Sequence, residues 1–446
     1  MSNLDHQAVA DLFAKHGTRY VECIFPDING IPRGKMVRAE DFLAGKALHM
    51  AEAVVLRTVN GDYPDDDVIG FADHDIVMVP DLSTVRVLPW KPTHAVAIHD
   101  CVTFEGELSQ FAPRSMLKNV LSRYAAKGWT PVVAPEIEFY LYARDGNFEH
   151  GFNLPPFRGG HTEANQSGFT LDGASDLSAF WDELFDACEQ LGLRTDTWLH
   201  EEGRSQFEIN LWHGNALKLA DDVVFFKYAL REVAARHGLY AVFMAKPVAD
   251  EPGSSMHLHQ SIVDHTGHNI FSLPDGGESP AFHAFLGGLQ RYVPEFMVFF
   301  APYQNSWRRY LPGTQAPVNL EWAYDNRTVA LRSPRATPAA RRIENRLPGS
   351  DANPYLAIAA SLACGLLGME EGLKARPPLE ESGYNYPREL PASFDGALAR
   401  LMEGSKVREV FGEIFATSFT AVKELEHAAY LAEVSAWDRR FLTLNA

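Results

Sequence analysis

The sequence predicts an α+β fold in two unequal parts, and three observations carry that prediction. At 446 residues the chain is longer than one hydrophobic core ordinarily serves. Strand-like runs dominate up to about residue 105, whereas helical and strand patterns are mixed from Pro113 onward. The strands and helices of the second part also do not follow the strict alternation of a parallel βαβ sheet.

Taken in order, residues 6–16 read as a short helix. Tyr20-Val-Glu-Cys-Ile-Phe reads as a strand stopped by the turn-forming Asp27-Ile-Asn-Gly. Asp75-Ile-Val-Met-Val and Ala95-Val-Ala-Ile-His supply further strands of the small part. A helix over about 114–127 leads into a strand from Pro131 to Tyr142, and later helices fit about 176–191, 217–237, 280–295 and 352–370. The last holds the longest uncharged apolar run, Tyr355 to Met369, which falls short of the ~20 residues a bilayer requires. Asn353-Pro354 ahead of it supplies an N-cap and a first-turn proline, so a buried helix is expected. No repeat, low-complexity tract or long linker interrupts the pattern.

Apolar residues make up 46% of the chain and charged ones 22%, a globular balance. Forty basic against 58 acidic side chains leave a formal charge of −18, which repels nucleic acid and anionic membranes and favours small cations or metal-bound substrates. Cys23, Cys101, Cys188 and Cys364 are dispersed, with no CxxC, so neither a disulfide framework nor a thiolate metal site is indicated. The N-terminus lacks a basic segment followed by an apolar one, and the expected compartment is the cytoplasm.

Four strand candidates carry their polar groups alike. In Glu136-Ile-Glu-Phe-Tyr-Leu-Tyr, alternation puts Glu136 and Glu138 on one face and Ile137, Phe139 and Leu141 on the other. Glu208 shares a face with Gln206 and Asn210, with Glu201 just upstream. His257, His259 and Ser261 share a face in Ser255-Met-His-Leu-His-Gln-Ser, and Glu344 is flanked by Arg342 and Arg346. One such strand needs no more than a sheet with one wet face. Four of them, with hardly any lysine, point to bound cations. Carboxylates with one imidazole suit Mg²⁺ or Mn²⁺ better than Zn²⁺, and their number suffices for two or three ions.

Arg308, Arg309, Arg327, Arg332, Arg342 and Arg346 crowd into one stretch, and guanidinium forks match phosphate and carboxylate oxygens. Neither a GxxxxGK[ST] loop, a GxGxxG at a strand–helix junction, nor a GxSxG elbow occurs. Metal-assisted phosphoryl transfer on a nucleotide held by metal and arginine is therefore the leading reaction class.

These residues name a family. Glu136-Ile-Glu-Phe, His200-Glu-Glu-Gly-Arg-Ser-Gln-Phe-Glu, Lys246-Pro-(x)5-Gly253-Ser-Ser-Met-His-Leu-His-Gln-Ser, Asn305-Ser-Trp-Arg-Arg-Tyr-Leu-Pro-Gly, Asn326-Arg-Thr-(x)3-Arg332 and Arg341-Arg-Ile-Glu-Asn-Arg-Leu-Pro stand in the order seen in bacterial type I glutamine synthetases. The chain resembles that family over about residues 18–370. The resemblance implies a β-grasp-like N-terminal domain, residues 16–105, and a glutamine-synthetase catalytic domain, residues 111–446, with a curved antiparallel sheet and flanking helices. It further implies a dodecamer of two stacked hexameric rings with active sites between neighbouring subunits.

Carried over residue by residue, Glu138, Glu201 and Glu208 match ligands of the metal near glutamate, and Glu136, His257 and Glu344 match ligands of the metal on the ATP phosphates. Gly253, Arg309 and Arg346 resemble the glutamate-binding group. Arg327 and Arg332 resemble the arginines on the transferred phosphoryl group, and His259 and Ser261 match nucleotide contacts. Arg309, Arg327 and Gln315 fall at the catalytic positions. The implied cofactors are two or three Mg²⁺ or Mn²⁺ ions, with ATP as co-substrate. The implied chemistry phosphorylates the glutamate side chain, and an amine then attacks the γ-glutamyl phosphate.

The departures concern the nitrogen donor. The family's Asp-Gly-Ser-Ser segment, which helps to bind ammonium, has no clean counterpart in Thr58-Val-Asn-Gly-Asp-Tyr-Pro-Asp, and its flap glutamate is replaced by Gln315. Pro252-Gly253, Ala339 and Arg204-Ser-Gln also depart from the usual pattern. The pattern is similar to the γ-glutamylpolyamine and γ-glutamylamine synthetases of the family, which glutamylate putrescine and similar amines. Asp62, Asp65, Asp66 and Asp67 offer acidic character at an amine entrance, or simply a solvated charge run. The alternatives are an ammonium-using glutamine synthetase and a non-catalytic ring-forming relative.

Overall fold

Val21, Cys23 and Phe25 alternate with Ile24 along β1 (Tyr20–Pro26), and the two sets enter different cores. The computed structural model, which describes residues 5–65, 68, 73–145, 151–157, 159–311, 313–314 and 316–445, places β1 in a six-stranded sheet. The other strands are β2 (Pro32–Arg38), β3 (Leu48–Ala51), β4 (Asp75–Pro80), β5 (Arg86–Val87) and β6 (His94–Val102). Their order is β2-β1-β6-β4-β3, with β5 on β6, and only β1 and β6 run parallel. Ala95, Ala97 and Cys101 of β6 join Val9 and Phe13 of the helix His6–His16, while Val96 and Ile98 face the larger core. A sheet covered on both faces explains the apolar run Ala95–Ile98 within β6.

The second sheet has nine strands: β7 (Trp129–Ala143), β8 (Thr195–His200), β9 (Gln206–Leu211), β10 (Gly214–Asn215), β11 (Leu239–Val242), β12 (Met256–Asp264), β13 (Trp322–Tyr324), β14 (Leu331–Ser333) and β15 (Ile343–Asn345). Among the described residues its order is β13-β14-β15-β12-β7-β9-β8, with β10 and β11 also on β7, and β13 with β14 is the one parallel pair. Ile137, Phe139 and Leu141 turn inward with Phe207, Ile209, Met256 and Leu258, in one core with residues of the helices Ala216–Arg236, Pro280–Phe300 and Pro354–Glu371.

The helix Pro354–Glu371 is buried from Pro354 to Gly368, and Asn353 caps it by accepting from Tyr355 N at 3.0 Å, as its sequence predicts. A side chain on Gly368 would collide with the Ala284 carbonyl, so glycine permits backbone contact with the helix Pro280–Phe300. That helix passes the expected end near 295 and continues through Pro294, because Phe296 to Phe300 are all buried. Their burial outweighs the hydrogen bond that proline removes.

Arg114, in the helix Pro113–Ala125, ties the two parts together. Its guanidinium donates to Asp81 at 2.7 Å, to Asp221 at 2.9 and 3.0 Å, and to Asp100. Beyond the elements anticipated from sequence, the chain ends in the helices Phe394–Glu403, Lys406–Phe411, Glu413–Ala432 and Ala436–Leu442. No helix of the described residues is long and apolar enough to cross a membrane. Gln315, Asp66 and Asp67 lie outside the described residues.

Candidate active site

Sheet register brings the four polar strands into one ladder. Glu138 pairs with Glu208 and Glu136 with Asn210 across β7 and β9, and Glu136 pairs with His257 across β7 and β12. His259 then faces Glu344 across β12 and β15, and Glu344 faces Arg332 on β14. Each strand turns its apolar residues into the core, so period two leaves every one of these polar groups on the other face.

Around Glu136, His259 Nε2 lies at 2.8 Å and His257 Nδ1 at 3.5 Å. His257 Nδ1 is also 3.6 Å from Glu344, and its Nε2 is 2.9 Å from Ser255 Oγ, which orients the ring. Burial pushes the Glu136 carboxyl up, but the hydrogen bonds and charges of the two imidazoles more than reverse this and hold it below the carboxylate range. Glu344, 1% exposed, accepts from Arg346 at 2.6 Å and from Arg332 at 2.7 Å. Burial again opposes, yet Arg346, His259 and His257 hold it at about 2.

The neighbouring trio behaves oppositely. Burial and then the charge of Glu138 raise Glu201 to about 7, and burial followed by Glu136, Glu138 and Glu201 raises Glu208 to about 10. Glu138 itself is raised by burial despite accepting from Ser255 N and Oγ at 2.7 Å each. Oxygens of Glu138, Glu201 and Glu208 all come within 4.8 Å of one another. The same closeness holds for ligand atoms of Glu136, Glu208 and His257, and of Glu136, His259 and Glu344. Converging carboxylates whose burial, and for Glu201 and Glu208 also mutual repulsion, raises their pKa values fit hard divalent cations such as Mg²⁺ or Mn²⁺.

Around this face lies a cavity of about 330 Å³, which Arg309, Arg327, Arg332, Arg346 and Gly253 also line. Arg309 is 5% exposed; it donates to the Leu347 carbonyl and to Tyr310 Oη, and its Nε is buried without a partner among the described residues. A Cβ on Gly253 would sit 2.5 Å from Arg309 Cγ and 2.8 Å from the Ala245 carbonyl, so only glycine leaves this arginine its place. Arg327 is exposed at the rim.

His259 and Ser261 line an adjoining cavity of about 460 Å³ with Arg342, Trp212 and His213. Glu136 and Asn210 border both spaces. Arg342 Nε lies 3.1 Å from His259 Nδ1, and the Arg194 guanidinium stands 3.7 Å over the Trp212 ring.

Sequence reasoning missed two features. Phe169 lines the carboxylate cavity with Glu201 and Glu202, is 63% exposed, and has a φ of 64°, unusual for a residue with a side chain. Glu163 accepts from Ser205 N at 2.7 Å and Ser167 N at 3.0 Å and lies 3.3 Å from His200 Nε2, so it ties the Phe169 loop to the β8–β9 turn. Neither stands in a periodic segment. A lone aromatic after Ser167-Gly168 was the single available cue.

Residues 110–442 match the family described as glutamine synthetase, catalytic domain. A glutamate–isopropylamine ligase of Pseudomonas sp is 32% identical, with 96% of each chain covered. The glutamine synthetase of Pyrococcus abyssi is 33% identical over 95% of this chain and 93% of its own. The γ-glutamylputrescine synthetase PuuA of Escherichia coli K12 is 31% identical over 96% of this chain and 92% of its own. A solved GmaS complex with ADP superimposes with a TM-score of 0.86 at 30% identity, covering 98% of this chain and 99% of that one.

Proposed function

Since the chain belongs to the glutamine synthetase family, we propose that this ligase forms a γ-glutamyl amide from L-glutamate and a primary alkylamine or polyamine such as putrescine, at the expense of ATP. The observation that carries the amine reading is Phe169. An exposed aromatic ring beside Glu201 and Glu202 offers apolar surface along which the carbon chain of an alkylammonium can lie, whereas ammonium has no chain to place there. Two relatives named for amines, those of Pseudomonas sp and Escherichia coli, support it. The 33% identity to glutamine synthetases favours ammonium as the second reading.

In this reading a γ-carboxylate oxygen of glutamate attacks the terminal phosphorus of ATP, and ADP leaves. The amine nitrogen then attacks the carbonyl carbon of γ-glutamyl phosphate, loses a proton, and phosphate departs. Arg309 and Arg346, with the backbone at Gly253, orient glutamate; Arg327 and Arg332 neutralise the transferred phosphoryl group; His259 and Ser261 hold the nucleotide. Glu138, Glu201 and Glu208 would hold one divalent ion, and Glu136, His257 and Glu344 a second. Bound Mg²⁺ or Mn²⁺ supplies charge neutralisation on phosphate oxygens. The reading includes a division at residues 16–105 and 111–446, a dodecamer of two hexameric rings, and work in the cytoplasm.

The test is ADP release with glutamate, ATP and a panel of nitrogen donors. A primary alkylamine, putrescine first, is expected to give a far higher kcat/KM than ammonium. If ammonium is the best donor, the protein is a glutamine synthetase.

A further inference from the structure

A separate cavity of about 700 Å³ lies where the turn between β1 and β2 meets the helix Ala216–Arg236 and residues 303–305, and it shares no lining residue with the carboxylate cavity. Ile24, Val224, Phe243 and Met244 make much of its wall apolar. Its anions and amides have partners, except that Asp351 Oδ1 is buried without one among the described residues. Glu22 accepts from Tyr228 Oη at 2.9 Å, Asp351 accepts from Ser306 Oγ at 2.7 Å, and the Asn305 side chain is bound to both backbone groups of Lys246. Asn29 donates to Glu426 at 2.9 Å and accepts from Lys423 at 2.6 Å.

The two cations differ. Lys227 Nζ donates at 2.6 Å to the Ser350 carbonyl and stands 5.1 Å from the Phe243 ring centre. Arg231 stands 5.1 Å from the same ring and, among the described residues, has no hydrogen bond or ion pair. Arg231 is solvent-exposed where it lines the cavity, although enough protein surrounds it to lower its pKa by burial. Burial and then the Arg231 charge pull the Lys227 amine down to about 7, against the pull of Asp351. Two like charges thus share one aromatic floor, and among the described residues no carboxylate stands within ion-pair distance of either, Asp351 acting on Lys227 from farther away.

We propose that this cavity is a binding site for a small organic carboxylate with an apolar body, its carboxylate taken by the Arg231 fork and Lys227 and its body by Phe243, Met244 and Ile24. Inorganic phosphate would meet the cations but leave the apolar wall uncovered. Occupancy is placed to reach the candidate active site, because the Ser350 residue that holds Lys227 also donates from Oγ to the Glu138 carbonyl at 2.6 Å.

Fluorine NMR on the purified full chain tests the site, with saturating glutamate present so that the substrate site is occupied. The probes are fluorinated aryl and alkyl carboxylates, with para-fluorobenzoate and para-fluorobenzamide as a matched pair. Saturable binding of a carboxylate is expected, at least tenfold tighter than its amide, uncompeted by inorganic phosphate and weakened at least tenfold in Arg231→Gln. Equal binding of acid and amide, displacement by phosphate, undiminished binding in Arg231→Gln, or no saturable binding overturns the proposal. If Arg231→Gln does not fold, Met244→Trp, which fills the cavity from its wall, must abolish binding; persistence there overturns it equally. Glutamate-dependent ADP release plays no part in the readout, so this test stands apart from that of the ligase reading.

Discussion

His257 and Glu136 are register partners across β12 and β7, with the imidazole Nδ1 3.5 Å from the carboxylate. They stand 121 residues apart by numbering, yet the sheet sets them side by side on its polar face. Everything proposed for the site depends on that register, because a one-residue slip of either strand would turn that strand's polar side chains into the core.

Glu136→Gln keeps the volume of the side chain and removes its charge. Turnover is expected to fall by roughly 10²–10³-fold, the scale of losing one preorganised electrostatic contact to a transition state. Nucleotide binding should weaken while the fold persists, since Glu136 is partly open to the cavity. Steady-state kinetics and nucleotide titration check this, and near-normal turnover at ordinary Mg²⁺ removes Glu136 from the metal site.

Arg309→Lys and Arg346→Lys should each raise the glutamate KM by about tenfold or more, because an ammonium cannot reproduce bidentate contact with a carboxylate. Unchanged glutamate saturation in both variants would assign these arginines to structure alone.

Phe169→Ala tests the amine side. Removing the ring should lower kcat/KM for an alkylamine by roughly tenfold, about the value of one large apolar contact, and leave the ammonium reaction nearly unchanged. Gln315→Glu should act in the other direction and improve the ammonium reaction, because a carboxylate can accept the proton that ammonium must lose. Equal losses for both donors in Phe169→Ala would show a general role for the loop.

Metal removal should make stability fall with pH. Glu201 and Glu208 are raised to about 7 and 10, so between the ordinary carboxylate range and those values the folded protein holds more protons than the unfolded chain. Stability then decreases as pH rises through that window. Chelator-treated protein is expected to show a lower Tm at pH 8 than at pH 6, with Mg²⁺ restoring most of the difference. A metal-free Tm that rises over this interval would contradict the clustering of these carboxylates.

Arg114→Met should destabilise the protein by about 3–5 kcal/mol in denaturant unfolding, since it leaves Asp81, Asp100 and Asp221 without their shared partner. A change below 1 kcal/mol would mean that water replaces the guanidinium readily.

Period-two patterns read from the sequence already put Glu136 with Glu138, His257 with His259, and Glu344 between Arg342 and Arg346 on shared strand faces. Alternation is a local property of extended backbone, so no tertiary information was needed for it. The buried helix Pro354–Glu371 was legible for the same reason, from its apolar run and its Asn353 cap. Ordered motifs added the family, and with it ATP, glutamate and divalent metal as expectations.

Only the tertiary structure decided which strands are neighbours, and hence that Glu208 meets Glu138 while Glu344 meets His259. Strand order depends on packing among segments far apart in the chain, which no local pattern encodes. The same holds for Phe169, held at positive φ by a loop that Glu163 anchors, and for Arg231, exposed beside a cavity with no ion pair among the described residues. Arg231 sits on the helix Ala216–Arg236; that it has no carboxylate partner among the described residues is a fact of three-dimensional surroundings and invisible in the one-dimensional order of residues.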